Sequence, residues 1–567
     1  MDDLARARRF RPGPRLVSLL VGGAAAILVL YPIAFLIQAS LSTGDPQARP
    51  PEAYGLDNFA DLPRYGHIFA NTVTVAVAAT AMAIALGFAM GWILSRTNVP
   101  GRGVLEQLMA LPYYVTPLMG ALAWSLIGSP SGGFVNQLWR AAGGGDGHLI
   151  DVTTPYGIAW VMALFEGSVA FVMIGAVMKS MDPALEEASQ VLGAGRLRTM
   201  LRITLPLVMP GVLGAAIFVF AEMLGSFSAA LVLGLPSRFY VVTTAMYQLV
   251  SQYPPQFPRA AAMGVSLFAV MFAMVYVYRR IVRGGSYATI TGKAFRARAM
   301  DVGGLRWPLL GVSVAYLAIA VFLPIVTLLY ASVQRLATVF PRADNFTLAN
   351  YETALSLDAV RTALWDSLFL GLATASIGVF LMGFLAWMIY RSRLPGAGAI
   401  EYVLMFPQAV PRLVFAFGML WAWLIFPIPI YGTLWLLLIA YLTVFLPLGL
   451  RTIAGVMLQI DRSLEESAQM CGASWGYRLR TVTMPLLRPG LIAAWLLLFI
   501  ASVRELGASI LLTGPKAKVI TPTIVESWFS TSTELTAAMA LLQTLAVAVA
   551  LVLLFTVARR AAQHPGE

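Results

Sequence analysis

Thirty residues of this chain occur twice, in register and without a gap. Residues 182–211 read DPALEEASQVLGAGRLRTMLRITLPLVMPG, and residues 461–490 read DRSLEESAQMCGASWGYRLRTVTMPLLRPG. Twelve positions are identical, among them the Glu-Glu pair, a Gly-Ala and the prolines near the end. Each copy is a polar stretch set between long apolar runs, which places it at a membrane surface. The chain therefore reads as two related membrane halves, each presenting one such surface.

The composition supports a membrane chain. Apolar residues make up 59% and charged residues 12%, against about 25% charged in an ordinary soluble protein. Mean hydropathy is +0.77. A helix crossing a bilayer takes about 20 predominantly apolar residues. Runs of that kind lie at 16–39, 68–95, 104–128, 155–178, 208–234, 258–282, 306–332, 362–390, 399–425, 428–454, 488–512 and 533–558. The expected fold is all-α and polytopic, with about twelve transmembrane helices. The first run exceeds the about 7–15 residues of a signal-peptide core, and Ser40-Leu41-Ser42 is a poor cleavage site, so it reads as a retained helix.

The net charge of +12 is topological. Arg6, Arg8, Arg9, Arg11 and Arg15 precede the first span, and a second basic cluster runs from Arg279 to Arg306. Basic residues beside spans set orientation, which puts both termini in the cytoplasm and argues against nucleic acid as a partner. A single cysteine, Cys471, leaves no disulfide within the chain. His67, His148 and His564 are too scattered for a histidine metal site.

The repeat extends beyond its opening block. Trp92, Arg96, Pro100, Gly101, Gly103 and Glu106 match Trp387, Arg391, Pro395, Gly396, Gly398 and Glu401, at a wider offset. The first half is thus longer between the two blocks, and the Gly-rich stretch 129–156 is the natural insert, since surface loops absorb insertions cheaply. It reads as a disordered or packing loop. Six spans per half restore the orientation, so the halves are parallel repeats about an axis along the membrane normal. The expected layout is a first half at 1–283, a cytoplasmic linker at 284–305 and a second half at 306–567. Gly292-Lys293 in the linker lacks the glycines and Ser/Thr of a phosphate-cradling loop.

Within the repeated block, Asp182 suits a helix N-cap and Pro183 the first helical position. Glu186 and Glu187 follow in the turns where the helix dipole favours carboxylates. Gly193-Ala194-Gly195 breaks the helix, a short basic helix follows, and Pro206 is expected to end it. Asp461, Glu465, Glu466, Gly472 and Pro485 repeat the scheme. Close tethering to the bilayer at both ends argues against a DNA-binding helix–turn–helix.

These residues carry a resemblance. EEASQVLGAG followed by LP, and EESAQMCGAS followed by MP, resemble the EAA loop of importer permeases of the ATP-binding cassette (ABC) type. The resemblance implies a cytoplasmic coupling helix in each half that inserts into a cleft of a separate ATPase. It assigns Glu186, Glu187, Ala188, Gly193, Ala194 and Pro206, with Glu465, Glu466, Ser467, Gly472, Ala473 and Pro485, to two docking sites. It further implies two copies of an ATP-binding subunit holding ATP and Mg, a periplasmic substrate-binding protein and an inner-membrane location. The chain itself would be a transport subunit and no enzyme. Two halves fused in one chain are similar to the ferric-iron and thiamine permeases. PYYVTPLMGALAW (112–124), SYATITGKAFRAR (286–298) and SVRELGASILL (502–512) resemble the iron(III) branch most. Thiamine and aminoalkylphosphonate importers share the build.

Ionisable residues within spans default to functional candidates. Glu166, Glu222, Arg412, Arg504 and Glu505 are the candidates for the translocation path. Carboxylates there suit a cationic substrate, and arginine suits an anion or a metal-bound anion; a structural pair such as Arg504 with Glu222 is the alternative. A secondary transporter driven by an ion gradient also has two six-helix halves. The basic turn from Arg96 to Gly103 is faintly similar to its signature, but lacks the acidic residue expected there and leaves two EAA copies unexplained. A membrane-embedded enzyme finds no nucleophile–base pair or metal cluster in the sequence.

Overall fold

A computed structural model describes residues 14–45, 48, 50–182, 184–283, 300–392 and 396–563. Pro183, Pro395, His564, the basic residues before Arg15 and the linker motif 286–298 lie outside them. Among the described residues, nine helices are long and apolar enough to cross a membrane, and two bent helix pairs raise this to eleven.

Where the sequence reads one continuous span, prolines break three. The run 104–128 is three helices, Arg102–Leu108, Leu111–Tyr114 and Pro117–Gly128, the last two with proline in the first turn. The run 399–425 bends by 106° between Ala397–Ala409 and Arg412–Ile425, and 428–454 bends by 46° before Leu446–Met457. Pro112, Pro117, Pro407 and Pro447 each lack the N–H that would continue the preceding helix, while suiting the first turn of a new one. Thr-Pro starts recur elsewhere: Thr116 accepts from Met119 N–H at 3.0 Å and Thr154 from Gly157 N–H at 3.0 Å, each capping a helix that opens with proline.

The chain forms two compact units that do not follow the sequence halves. One comprises residues 1–38 and 365–517. In it the first helix, Pro14–Leu41, packs on Arg412–Ile425 of the second half. Trp423 donates to the Tyr31 hydroxyl at 3.0 Å, and the helices approach so closely that a Cβ on Gly418 would lie 2.0 Å from the Pro32 carbonyl oxygen. The other unit comprises 39–364 and 518–567. Here Gly66–Arg96 and Pro155–Ser180 pack backbone to backbone at Gly87, where a Cβ would come within 2.7 Å of Phe171 N. The seventh span, Gly303–Ser332, joins this unit, with Tyr316 donating to Leu164 O at 2.8 Å.

The Gly-rich insert is an ordered packing element. Asn136, on the helix Phe134–Ala141, donates to Ser129 O and Ile150 O and accepts from the N–H groups of Leu149 and Ile150. Phe134 meets Tyr330 edge-on at 6.1 Å.

Candidate coupling site

Both repeated blocks fold the same way. The first forms the helix Ala184–Val191, the second Ser463–Met470. Asp182 accepts from Ala184 N–H and Asp461 from Ser463 N–H, each at 2.9 Å. The Ser463 bonds hold the Asp461 carboxyl below its ordinary range. Both helices end on a glycine in the left-handed region, Gly193 and Gly472, each at φ +80°. The N–H groups of Ala194 and Ala473 then bond back to Ser189 O and Ala468 O, at 3.0 and 3.1 Å, closing the Schellman-type cap that such a glycine permits.

Pro206 and Pro485 behave differently from the expectation that they end the short basic helices. The chain runs on without a break as Arg196–Leu224 and Trp475–Val503. Immediately before each proline the helix widens into a π-turn, Met200–Thr204 and Leu479–Thr483. Proline cannot donate the next helical hydrogen bond, and a single π-turn accompanies that loss in each copy.

The two glutamates of each pair face opposite ways. Glu187 and Glu466 are exposed; Glu186 is buried and Glu465 half-buried. Glu186 receives Arg96 Nε at 3.0 Å and Nη2 at 2.5 Å, and its other oxygen receives the Thr204 hydroxyl at 2.5 Å. Glu465 accepts from Thr483 at 2.9 Å and lies 3.9 Å from Arg391 Nε. The first glutamate of each copy is therefore an internal fastening, and the outward carboxylates are Glu187 and Glu466. Beside them stand uncovered apolar side chains at equivalent positions: Val191 is 87% exposed and Met470 88%, with Leu185 and Leu464 also exposed. Ala188, Ser467 and the two glycines share this open surface, while Ala194 and Ala473 are half-buried. Exposed apolar patches of this kind, rimmed by polar groups, mark protein or membrane interaction sites.

The first loop carries a strap. Met300 N–H donates to Arg96 O at 2.9 Å and Asn98 N–H to Met300 O at 3.1 Å. Asn98 also donates to Asp301 at 2.7 Å, and Arg196 donates to Val302 O at 2.9 Å. The Gly303 N–H and Asn98 hold the exposed Asp301 carboxyl below its ordinary range. At the position of Arg196 the second copy has Trp475, which stacks on Trp387 at 5.8 Å.

The path candidates are placed less uniformly. Glu166 lies within Pro155–Ser180 and Glu222 near the end of Leu205–Leu224, both half-buried. Arg504 and Glu505 sit in a break after the helix Met484–Val503, and Arg412 opens the helix that follows the 106° bend. Glu505 accepts from Arg412 at 3.3 Å and from Ala508 N–H at 2.7 Å. Its side chain is 1% exposed against 47% for Arg412. Outside both groups, Glu106 pairs with Lys179, and Glu401 accepts from Tyr390 at 2.6 Å.

Comparison with known proteins agrees with the duplicated build. The chain is 28% identical over 371 residues to a putative ferric transport system permease protein, FbpB 1, of Haemophilus influenzae, covering 64% of this chain and 57% of that one. It is 25% identical over 492 residues to a probable ABC transporter permease protein, y4fN, of Sinorhizobium fredii, covering 83% of each. The spermidine/putrescine transport system permease protein PotB of Escherichia coli is 25% identical over 263 residues, 45% of this chain and 93% of that one. The family model for the inner membrane component of binding-protein-dependent transport systems matches twice, at residues 83–284 and 378–564. The chain belongs to that family.

Proposed function

We propose that this chain is the permease subunit of an ATP-driven importer, in which two copies of an ATP-binding subunit dock on Ala184–Val191 and Ser463–Met470. A periplasmic binding protein delivers substrate, and the halves rock between outward-open and inward-open states. ATP and Mg reside on the docked subunits, and this chain performs no hydrolysis of its own. The observation that carries the reading is the matched pair of uncovered surfaces, Val191 with Glu187 and Met470 with Glu466, at the same register of a duplicated motif. A gradient-driven transporter has no use for two such surfaces.

Iron(III) is the proposed substrate, on the strength of the ferric relative and of the sequence segments around 112–124 and 502–512. Arg412, oriented by the buried carboxylate of Glu505, suits iron carried with an anionic ligand shell. The polyamine permease relative supports a second reading, in which a polycation is carried on the carboxylates Glu166 and Glu222. Thiamine and aminoalkylphosphonate importers share the build and give the further readings.

The test is uptake into proteoliposomes holding the chain, its copurifying ATPase and its binding protein. ATP-dependent accumulation of radiolabelled iron(III), with putrescine excluded, is expected. Accumulation that ignores ATP and collapses with a protonophore would remove the importer reading, and putrescine uptake would remove iron.

A further inference from the structure

The buried face of the first loop is built as carefully as its exposed face. Arg96, at the end of the helix Gly66–Arg96, bonds at once to three things. Its Nε and Nη2 hold Glu186 on the loop helix, and its Nη1 reaches the carbonyls of Met178 and Met181, where the helix Pro155–Ser180 ends. Glu186 in turn holds Thr204 at the head of the helix Leu205–Leu224. The Arg96 and Glu186 side chains are 2% and 6% exposed. With no water to replace a broken contact, an unpaired partner is left charged and buried. The loop helix cannot shift without carrying three spans along.

The second half repeats every member of this cluster. Arg391 donates to the carbonyls of Met457 and Ile460, the equivalents of Met178 and Met181, and Thr483 donates to Glu465. One link differs: Arg391 and Glu465 are 3.9 Å apart, beyond hydrogen-bond reach, with Glu465 17% exposed. Arg391 Nη1 is buried without a hydrogen-bond partner. The Arg391 side chain is 5% exposed, so this link differs from the first in its missing hydrogen bonds more than in its burial.

We infer that Arg96 and Glu186 are positioning residues that transmit movement of the first docking helix into its spans, and that this linkage is the stiffer of the two. The inference rests on the docking role proposed above. Neither residue touches the ATPase or the substrate; each acts through the other.

The experiment uses the complete reconstituted transporter and reads substrate moved per ATP hydrolysed. Arg96→Gln and Glu186→Gln are expected to leave the ATPase copurifying and hydrolysing ATP, while the ratio falls about tenfold, within the usual range of coupling between sites. Arg391→Gln should lower it by less: both arginines lose their two carbonyl contacts, but the Arg391 contact with Glu465 is already beyond hydrogen-bond reach. Arg96→Lys, which keeps the charge but loses the forked contact, should fall between. A normal ratio in well-assembled Arg96→Gln, or equal losses for Arg96→Gln and Arg391→Gln, would overturn the inference. So would loss of the assembled complex in both Arg96→Gln and Arg96→Lys, since the pair would then serve folding alone. Glu187→Ala separates the two levels. If it too leaves docking and ratio untouched, the docking role itself fails; if it uncouples while Arg96→Gln does not, only the linkage fails.

Discussion

The two repeated loops share their outer surface and differ in how they are fastened beneath it. Both present Val191 or Met470 beside an outward carboxylate, and both turn out of the helix on a left-handed glycine. Beneath that surface the first is held by a buried, forked Arg96–Glu186 pair and by the strap from Asn98 to Asp301. The second has a looser ion pair and the stack of Trp475 on Trp387. The outer surfaces of the two copies match, while their internal support differs. A fused chain permits this, because each copy mutates independently within one gene product.

The largest expected difference is in local opening of the loops. Leaving one member of a buried ion pair unmatched costs about 3–5 kcal/mol, so Arg96→Gln should strip hydrogen-exchange protection from residues 184–191. Arg391→Gln should change protection of 463–470 by less, because its Nε stands 3.9 Å from Glu465, beyond hydrogen-bond reach. Equal changes in both loops would erase the distinction between them. The docking surfaces should behave the other way. Val191→Asp and Met470→Asp each place a charge on the proposed docking surfaces, where a central contact is worth about 2 kcal/mol or more. Each should weaken binding of the purified ATPase about thirtyfold, by similar amounts. A large disparity between them would show that the outer surfaces have diverged as well.

The repeat, the caps and the left-handed glycines were legible because each is a local pattern: Asp two residues ahead of the helix, Gly just past its end. So was the all-α membrane class, since apolar run length alone decides it. The breaks in 104–128, 399–425 and 428–454 were harder, as proline in a membrane helix either bends it or ends it, and the outcome depends on neighbouring helices. The role of Glu186 was hidden for a different reason. Arg96 and Glu186 both recur in the second half, but in blocks repeating at different offsets, so no spacing links them. Only the identity of Thr204 and Thr483 hinted that this side of the motif faces inward. That the first helix belongs with residues 365–517, and the seventh and last spans with 39–364, leaves no mark in a hydropathy pattern.

Smaller effects sharpen the comparison further. A Cβ at Gly193 or Gly472 would meet nothing within 4 Å, so substitution carries only the dihedral penalty of a positive φ. That penalty is about 1–2 kcal/mol for an L-residue. Gly193→Ala and Gly472→Ala should therefore unsettle the two loops equally, by circular dichroism melting or hydrogen exchange, in contrast to the arginine variants. Unequal effects would mean that the fastening also strains the turn.

The weakest expected effect belongs to the strap. Asp301 is exposed, and its carboxyl is held below the ordinary range by the Gly303 N–H and then by Asn98. A carboxylate whose folded pKa is depressed lends stability that is fully present above the unfolded value, about 3.9, and is lost as pH falls through the folded value. At neutral pH the strap is thus at full strength, and Asp301→Asn should mimic its acid-weakened form. The expected result is slightly faster exchange at the Asn98 and Gly303 amides, with residues 463–470 unchanged. If the variant loosens the second loop as much as the first, the strap is no private support of one loop, and the asymmetry must rest on the Arg96–Glu186 pair alone.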